Sequence, residues 1–239
     1  MNIGILATGI TPDELLTEHG SYADMFMQLF RQLGRTYNYT VFDVRLNQFP
    51  ESAQQCDAWI ITGSASNVDE NTVWMQRLKQ LILEIDQAAR PLVGICFGHQ
   101  IIAEAFGGRV EAFKGGWGAG LHSYQMVDAP LEDCSAEQPE RIKLSAMHRY
   151  QVVEKPEAAR VFARSEFCEF AGLSYGDRIV TLQAHPEFSL AYESALLALR
   201  AGGVIPQACA EQAKASLTTP DASTDSMQVA SWLAAVLER

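Results

Sequence analysis

The sequence contains little cysteine and no cysteine or histidine spacing that is typical of a metal site. Five cysteines occur among 239 residues, an odd number, and none belongs to a Cys-x-x-Cys pair. Disulfide-dependent secreted domains carry a higher density of paired cysteines, and zinc sites need closely spaced ligands. We therefore expect a protein of a reducing compartment, with neither a disulfide framework nor a bound metal.

Long hydrophobic runs are also missing. Nowhere do about eighteen apolar residues follow one another, which is the length that a membrane-spanning helix needs. The opening run Met-Asn-Ile-Gly-Ile-Leu-Ala-Thr-Gly lacks the basic leader and the long apolar core of a signal peptide. We expect a cytoplasmic protein that neither spans a membrane nor is exported through a signal peptide.

Basic residues are outnumbered, with 18 lysines and arginines against 29 acidic residues and a formal net charge of −11. No basic stripe occurs, so the phosphate backbone of a nucleic acid would be repelled, and nucleic acid is not an expected partner. The hydrophobic content of 48% is sufficient for a large core. We predict one domain over residues 1–239, with helices from about residue 189 onward.

The order of apolar segments predicts an α/β fold. Strand-like segments at residues 3–7, 39–44, 58–62 and 92–95 alternate with helix-like segments at residues 22–33 and 73–89. This order is typical of a mostly parallel sheet covered by helices on both faces. Strand-like segments at residues 109–113, 121–127, 142–144 and 169–173 predict a small antiparallel insertion beside the main sheet, and helix-like segments follow at residues 191–200, 206–216 and 226–237.

One cysteine, Cys96, lies at a junction between a strand and a helix. In the run Pro-Leu-Val-Gly-Ile-Cys-Phe-Gly-His-Gln at residues 91–100, the thiol follows a short apolar strand and precedes a helical segment at residues 98–106. Nucleophilic serines are presented on a similar Gly-x-Ser-x-Gly turn, and a helix amino terminus favours the thiolate. Because a lone cysteine after an apolar run is more often a core residue, this position by itself indicates only a candidate nucleophile.

A nucleophilic thiol needs a base, and His185 is the best candidate. It follows a strand-like run in Ile-Val-Thr-Leu-Gln-Ala-His-Pro-Glu-Phe, residues 179–188. Alternate residues of an extended chain point to the same side, so Glu187 is predicted to contact the imidazole and fix its tautomer. The two motifs together predict a triad of Cys96, His185 and Glu187.

These motifs resemble those of class I glutamine amidotransferases, whose glutaminase domains carry a Gly-x-Cys-x-Gly-His-Gln elbow and a later His-Pro-Glu. The resemblance implies the flavodoxin-like fold of that family. It also implies that Cys96 is the nucleophile, that His185 is the general base and acid, and that Glu187 orients the histidine.

The resemblance implies further contacts with a substrate. Gly63 and Ser64 end the run Asp-Ala-Trp-Ile-Ile-Thr-Gly-Ser at residues 57–64, and the similar segment of the family supplies backbone N–H groups near Gly63 to the oxyanion site. The N–H of Phe97 joins them. Gln100 is expected to hold the amino-acid end of the substrate.

One segment departs from the family pattern. Ser-Ala-Met-His-Arg-Tyr-Gln-Val at residues 145–152 resembles a substrate loop that often reads Ser-His-Gly-Asp in guanylate-forming members, but Arg149 and Tyr150 replace the glycine and the aspartate. We count His148, Arg149 and Tyr150 as substrate-binding candidates, although a structural role suits His148 equally well. An arginine beside the substrate is suited to pair with the carboxylate of a peptide.

The other histidines and cysteines give no comparable signal. His99 belongs to the elbow motif, where packing and orientation at the helix start are its expected role. The remaining histidines and cysteines have no paired spacing, and we expect structural roles for them: His19, His122, Cys56, Cys134, Cys168 and Cys209.

The resemblance implies hydrolysis of glutamine to glutamate and ammonia through a γ-glutamyl thioester, without a cofactor. Because no synthetase domain follows in this sequence, the ammonia is expected to pass to a separate synthetase subunit. Three alternatives remain open: a γ-glutamyl peptidase or hydrolase, a non-catalytic regulatory module of the same fold, and a thiol hydrolase unrelated to glutamine.

Overall fold

The computed structural model describes residues 1–130 and 139–239. Its helices are α1 (Asp13–His19), α2 (Tyr22–Gln32), α3 (Val73–Gln87), α4 (Phe97–Ala105), α5 (Leu190–Arg200), α6 (Gln207–Leu217) and α7 (Ser226–Leu237). Its strands are β1 (Asn2–Ala7), β2 (Asn38–Asp43), β3 (Ala58–Ile61), β4 (Leu92–Ile95), β5 (Arg109–Ala112), β6 (Gly118–Met126), β7 (Arg141–His148), β8 (Tyr150–Glu154), β9 (Arg160–Arg164), β10 (Gly172–Tyr175) and β11 (Ile179–Leu182). Within those two ranges, no helix has the length and hydropathy needed to cross a membrane.

Nine of the described strands form one mixed sheet in the order β2-β1-β3-β4-β11-β10-β9-β6-β7. The first five run parallel to one another, and the remaining four join by antiparallel pairing. Strands β5 and β8 form a separate antiparallel pair. The predicted α/β architecture with a small antiparallel sheet is confirmed.

The extent of the antiparallel part differs from the prediction. Strands β6, β7, β9 and β10 do not lie beside the main sheet but extend it, because β10 pairs with β11 along its whole length. Strands β8 and β9 and helix α1 were not predicted. Helix α1 buries none of its residues, so no hydrophobic periodicity indicates it.

Helices cover both faces of the parallel strands. Helices α2 and α7 pack on one face, where Phe26, Phe30 and Leu233 join the core. Helices α3 and α4 pack on the other, through residues such as Leu78 and Ile101. Strands β3 and β4 are consequently buried along their whole length, as is usual in a parallel sheet covered on both faces.

The antiparallel half of the sheet curls back toward the parallel half. The backbone N–H of His185 donates to the carbonyl of Ser145 on β7 (2.8 Å), and that of Gln183 donates to the carbonyl of Ala171 (2.8 Å). The chain after β11 is therefore bonded to β7, the edge strand of the sheet. This brings the turn after β7 to the carboxyl end of β4, the edge at which ligands of parallel sheets gather.

Two glycines permit close packing at the turn from β4 into α4. A Cβ atom on Gly98 would lie 2.5 Å from the carbonyl oxygen of Ile61, and one on Gly94 would lie 2.8 Å from the backbone of Gly98. Helix α4 thus lies directly against the backbone of β3 through Gly98, and its Ile102 side chain packs on Gly94 of β4, where a Cβ atom would lie 2.5 Å from Cδ1. This contact fixes the position of Cys96, which lies midway between the two glycines.

We expect Gly98→Ala to lower the free energy of unfolding by about 2 kcal/mol, because the new methyl group overpacks a contact between two backbones. Urea denaturation followed by circular dichroism measures the loss. Gly203→Ala is the matched control, since its Cβ would find no atom closer than 3.7 Å. Equal losses in the two variants would contradict the close contact between α4 and β3.

Candidate active site

Cys96 lies on a strained turn between β4 and α4. Its φ of 53° and ψ of −101° are unfavourable for a residue with a side chain. Its backbone N–H donates to the carbonyl of Leu182 (2.8 Å), and its carbonyl accepts from the N–H of Gln100 (3.0 Å). These bonds hold the turn on both sides, so the thiol is fixed at the amino terminus of α4.

His185 and Glu187 form a buried pair beside this thiol. The imidazole Nδ1 lies 2.7 Å from Oε1 of Glu187, and the two side chains are 4% and 0% exposed. The side chain of Cys96 lies close enough to this imidazole to influence its charge. Its ring stacks on Phe188, with centroids 3.9 Å apart. The ring therefore has a fixed orientation between the carboxylate and the thiol.

The charges around His185 favour its protonated form. Burial alone favours the neutral imidazole, but the Glu187 carboxylate and the neighbouring Cys96 side chain outweigh burial and raise the pKa of His185 from 6.5 to about 10. The arrangement thus favours a protonated imidazole next to the side chain of Cys96.

Gln183 also contacts the thiol, and sequence analysis did not identify it. Its Nε2 donates to Sγ of Cys96 (3.6 Å), while its Oε1 accepts from Nε2 of Gln100 (3.1 Å). Gln100 donates in turn to the carbonyl of Tyr150 (2.8 Å). The alternation of side chains along an extended segment, which related His185 to Glu187, also places Gln183 on the side of His185.

Gly63 borders the side chains of Cys96 and His185 just after the end of β3. A Cβ atom there would lie 2.9 Å from Cε1 of His185 and 3.7 Å from Cβ of Cys96. The hydroxyl of Thr8 donates to the carbonyl of Gly63 (3.1 Å) and fixes this backbone. Phe97 is the first residue of α4, so its N–H has no partner within the helix. Both backbones therefore lie next to the thiol.

A pocket of about 240 Å³ opens above the thiol. Seven of the predicted site residues line it: Ser64, Cys96, Gln100, His148, Arg149, Tyr150 and His185. The other three do not, since Gly63 and Phe97 contribute backbone beside the thiol and Glu187 lies behind the imidazole. The aromatic ring of Phe97 points away into the core, where it packs on Trp74 with centroids 5.5 Å apart.

His148 is a neutral wall residue of this pocket. It is buried, and burial together with His122 lowers its pKa to about 3. Its Nδ1 lies 3.2 Å from the carbonyl of Tyr150, and its ring contacts Phe167 edge-on. An imidazole that remains neutral at pH 7 supports the turn after β7 and carries no charge to a ligand.

Arg149 and Tyr150 differ in their surroundings. The hydroxyl of Tyr150 donates to Oδ2 of Asp69 (2.9 Å), which connects β8 to the segment before α3. Arg149 is exposed on the turn between β7 and β8. Tyr150 is a fixed part of the pocket wall, and Arg149 is a solvated charge at the pocket mouth.

The elbow histidine lies behind the site. His99 is fully buried, its Nδ1 lies 2.8 Å from Oγ1 of Thr181 on β11, and burial lowers its pKa to about 3. It therefore connects α4 to β11, a packing position remote from proton transfer.

The other described cysteines, Cys56, Cys168 and Cys209, are not in disulfides, and burial raises the pKa of each thiol, that of Cys168 to about 12. Cys134 lies outside the described residues. Within residues 1–130 and 139–239, no group of three or more side chains is placed to hold a metal ion.

The chain is similar in sequence to one protein family and to individual relatives in other organisms. The profile of the family described as "Glutamine amidotransferase class-I" matches residues 15–200. Gamma-glutamyl peptidase 4 of Arabidopsis thaliana is 30% identical over 89% of this chain and 87% of its own. The glutamine-hydrolyzing GMP synthase subunit of Methanosphaera stadtmanae is 28% identical over 68% of this chain and 84% of its own.

A solved structure has the same fold. The glutamine amidotransferase of Thermotoga maritima superposes with a TM-score of 0.68, covering 99% of this chain and 96% of its own, at 22% identity. The flavodoxin-like fold that the sequence motifs implied is confirmed.

We expect Glu187→Gln to slow the alkylation of Cys96 by iodoacetamide at pH 7 by about tenfold. Loss of the carboxylate lowers the pKa of His185 and weakens the pair that a protonated imidazole forms with the attacking thiolate. Mass spectrometry of the labelled peptide measures the rate. Glu104→Gln is the control, because this carboxylate of α4 pairs with Lys79 instead (3.3 Å). An unchanged rate in Glu187→Gln would show that the carboxylate does not support the pair.

Gln183→Leu is expected to slow the same alkylation by roughly three- to tenfold, because the thiolate loses a hydrogen-bond donor. Gln151→Leu removes another buried amide, one that donates to the carbonyl of Phe167 (3.1 Å), and serves as the matched control. A similar decrease in both variants would indicate a general loss of packing and not a contact with the sulfur.

Proposed function

Because this chain belongs to the class I glutamine amidotransferase family, we propose that it hydrolyses a γ-glutamyl amide bond, with glutamine as the substrate and Cys96 as the nucleophile. The observation that carries this proposal is a series of three side chains: Cys96 on a strained turn at the carboxyl end of β4, His185 beside it, and Glu187 hydrogen-bonded to His185. Such a series is what covalent catalysis by a thiol requires.

The first half of the reaction forms a thioester. The Cys96 thiolate attacks the γ-carbonyl carbon, and the carbonyl oxygen becomes an oxyanion. The bond from that carbon to nitrogen then breaks, and the proton of the His185 imidazolium passes to the leaving nitrogen. Ammonia leaves from glutamine, and a γ-glutamyl thioester remains on Cys96.

The second half of the reaction hydrolyses the thioester, and His185 now acts as a base. Neutral His185 removes a proton from water, and the resulting hydroxide attacks the thioester carbon. The carbon–sulfur bond breaks, glutamate leaves, and the thiolate and the imidazolium are restored. Every proton is carried by His185 or water, so the proposed mechanism requires no cofactor.

Backbone groups next to the thiol suit the developing oxyanion. The N–H of Phe97 at the start of α4 and the backbone of Gly63 both lie beside Cys96, and donors fixed before the reaction stabilise charge that appears in the transition state. On the far side of the thiol, Gln100, Ser64 and Tyr150 line the pocket and are our candidates for contacts with the glutamyl group.

The leaving group distinguishes two forms of this function. If ammonia is the product, a separate synthetase subunit is its expected acceptor, as the name of the GMP synthase relative suggests. If the leaving group is an amino acid or a peptide, the chain acts alone, as the name of the Arabidopsis relative suggests. One observation supports the second form beside the first: the pocket continues past His185 along Leu196 to Arg200. A purely regulatory module would not need the buried pair of His185 and Glu187 beside Cys96.

Cys96→Ala is expected to lower glutamate release on the order of 10³-fold or more, because the covalent step is lost. An enzyme-coupled glutamate assay with glutamine and with γ-glutamyl peptides measures it. Cys56→Ala, a buried thiol outside the pocket, is the control. Addition of His185→Ala to Cys96→Ala should cause little further loss, since the two act as one unit. Wild-type turnover by Cys96→Ala would refute the mechanism.

A further inference from the structure

The pocket has a second wall that the proposed mechanism does not use. Beyond His185 it continues along Phe188, Leu196, Arg200, Val204 and Ile205, which belong to α5 and to the chain on either side of it. Most of these side chains are apolar, and the wall ends in one positive charge. Glutamine would not reach it, because its leaving group is only ammonia.

The wall begins where a leaving group must lie. His185 protonates the leaving nitrogen, so this nitrogen lies beside the imidazole, which stacks on Phe188 (3.9 Å). Phe188 packs with Leu196 in one apolar cluster. Arg200 follows Leu196 by one helical turn and lies on the same side of α5. A group attached to the leaving nitrogen would therefore run over Phe188 and Leu196 toward Arg200.

The turn after α5 completes this wall. The N–H of Gly202 donates to the carbonyl of Ile205 (3.0 Å), and the N–H of Ile205 donates to that of Arg200 (3.2 Å). Ile205 is buried, whereas Val204 is 58% exposed and borders the pocket. The apolar surface is thus held in place before any ligand arrives.

Arg200 is available to bind an anion. It is half-buried, and no carboxylate within residues 1–130 and 139–239 forms an ion pair with it. An arginine recognises a carboxylate through two parallel hydrogen bonds, a strong and directional contact. Arg149, the other arginine of the pocket, is exposed on the turn between β7 and β8, where water competes more strongly for its charge.

We propose that Phe188, Leu196, Val204 and Arg200 form a subsite for the leaving group, and that the substrates are γ-glutamyl compounds whose amine carries an apolar side chain and a free carboxylate. This rests on the proposed function. The bond that breaks joins the γ-carbonyl carbon to the nitrogen of the leaving amino acid, His185 supplies the proton to that nitrogen, and water hydrolyses the thioester. Arg200 receives the carboxylate of the leaving amino acid.

The test uses three substrates with the purified protein: γ-glutamyl-leucine, its C-terminal amide and glutamine. Wild-type protein is expected to prefer γ-glutamyl-leucine to its amide by about tenfold in kcat/KM, because only the free carboxylate pairs with Arg200. Arg200→Ala should remove this preference, and Arg200→Lys should keep part of it. Arg31→Ala, an exposed arginine in the last turn of α2, is the matched control and should retain the preference.

Each outcome decides between the proposals. Hydrolysis of none of the three substrates would overturn both the proposed function and the subsite. Hydrolysis of glutamine alone, or equal rates with the peptide and its amide, would overturn the subsite and leave the proposed function in place. A preference that Arg149→Ala removes and Arg200→Ala does not would also overturn it, because the carboxylate would then bind at the turn after β7.

Discussion

The buried imidazole of His185 lies between a carboxylate and a thiol, and the surrounding structure serves to hold it there. Burial makes a charged imidazole costly unless charges of opposite sign lie against it. Glu187 provides such a charge from the same segment as His185, and Cys96 lies beside the imidazole from the turn between β4 and α4. The arrangement persists only if β4, β11 and the curled antiparallel strands keep a fixed spacing, which explains why the backbone of His185 is itself bonded to β7.

Strain at Cys96 is the second constraint. A positive φ at a residue with a side chain is unfavourable, and it is retained where neighbouring contacts determine the backbone completely. Here the turn is closed by hydrogen bonds to Leu182 and Gln100, and by glycines that let α4 contact β3 and β4 directly. The strain and the close packing together place the sulfur at the helix amino terminus, within reach of Gln183 and His185.

Local patterns predicted much of this arrangement. The elbow around Cys96 and the alternation from His185 to Glu187 are sequence neighbourhoods of a few residues, so their geometry follows from short-range rules. The strands that curl back were only partly predicted, because β9 is short and one of its pairing partners, β6, is distant in the sequence, with Arg164 opposite Gln125. Helix α1 gave no signal, since none of its residues is fully buried.

The sequence by itself determined the fold class, the identity of the candidate nucleophile and base, and the carboxylate beside that base, because each rests on residue type and local spacing. Only the tertiary structure decided that Gln183 contacts the sulfur, that His148 is neutral in the pocket wall, and that α5 contributes Arg200 to the same pocket. These facts depend on which segments meet in space. Such meetings result from the packing of the whole chain, and no short stretch of sequence encodes them.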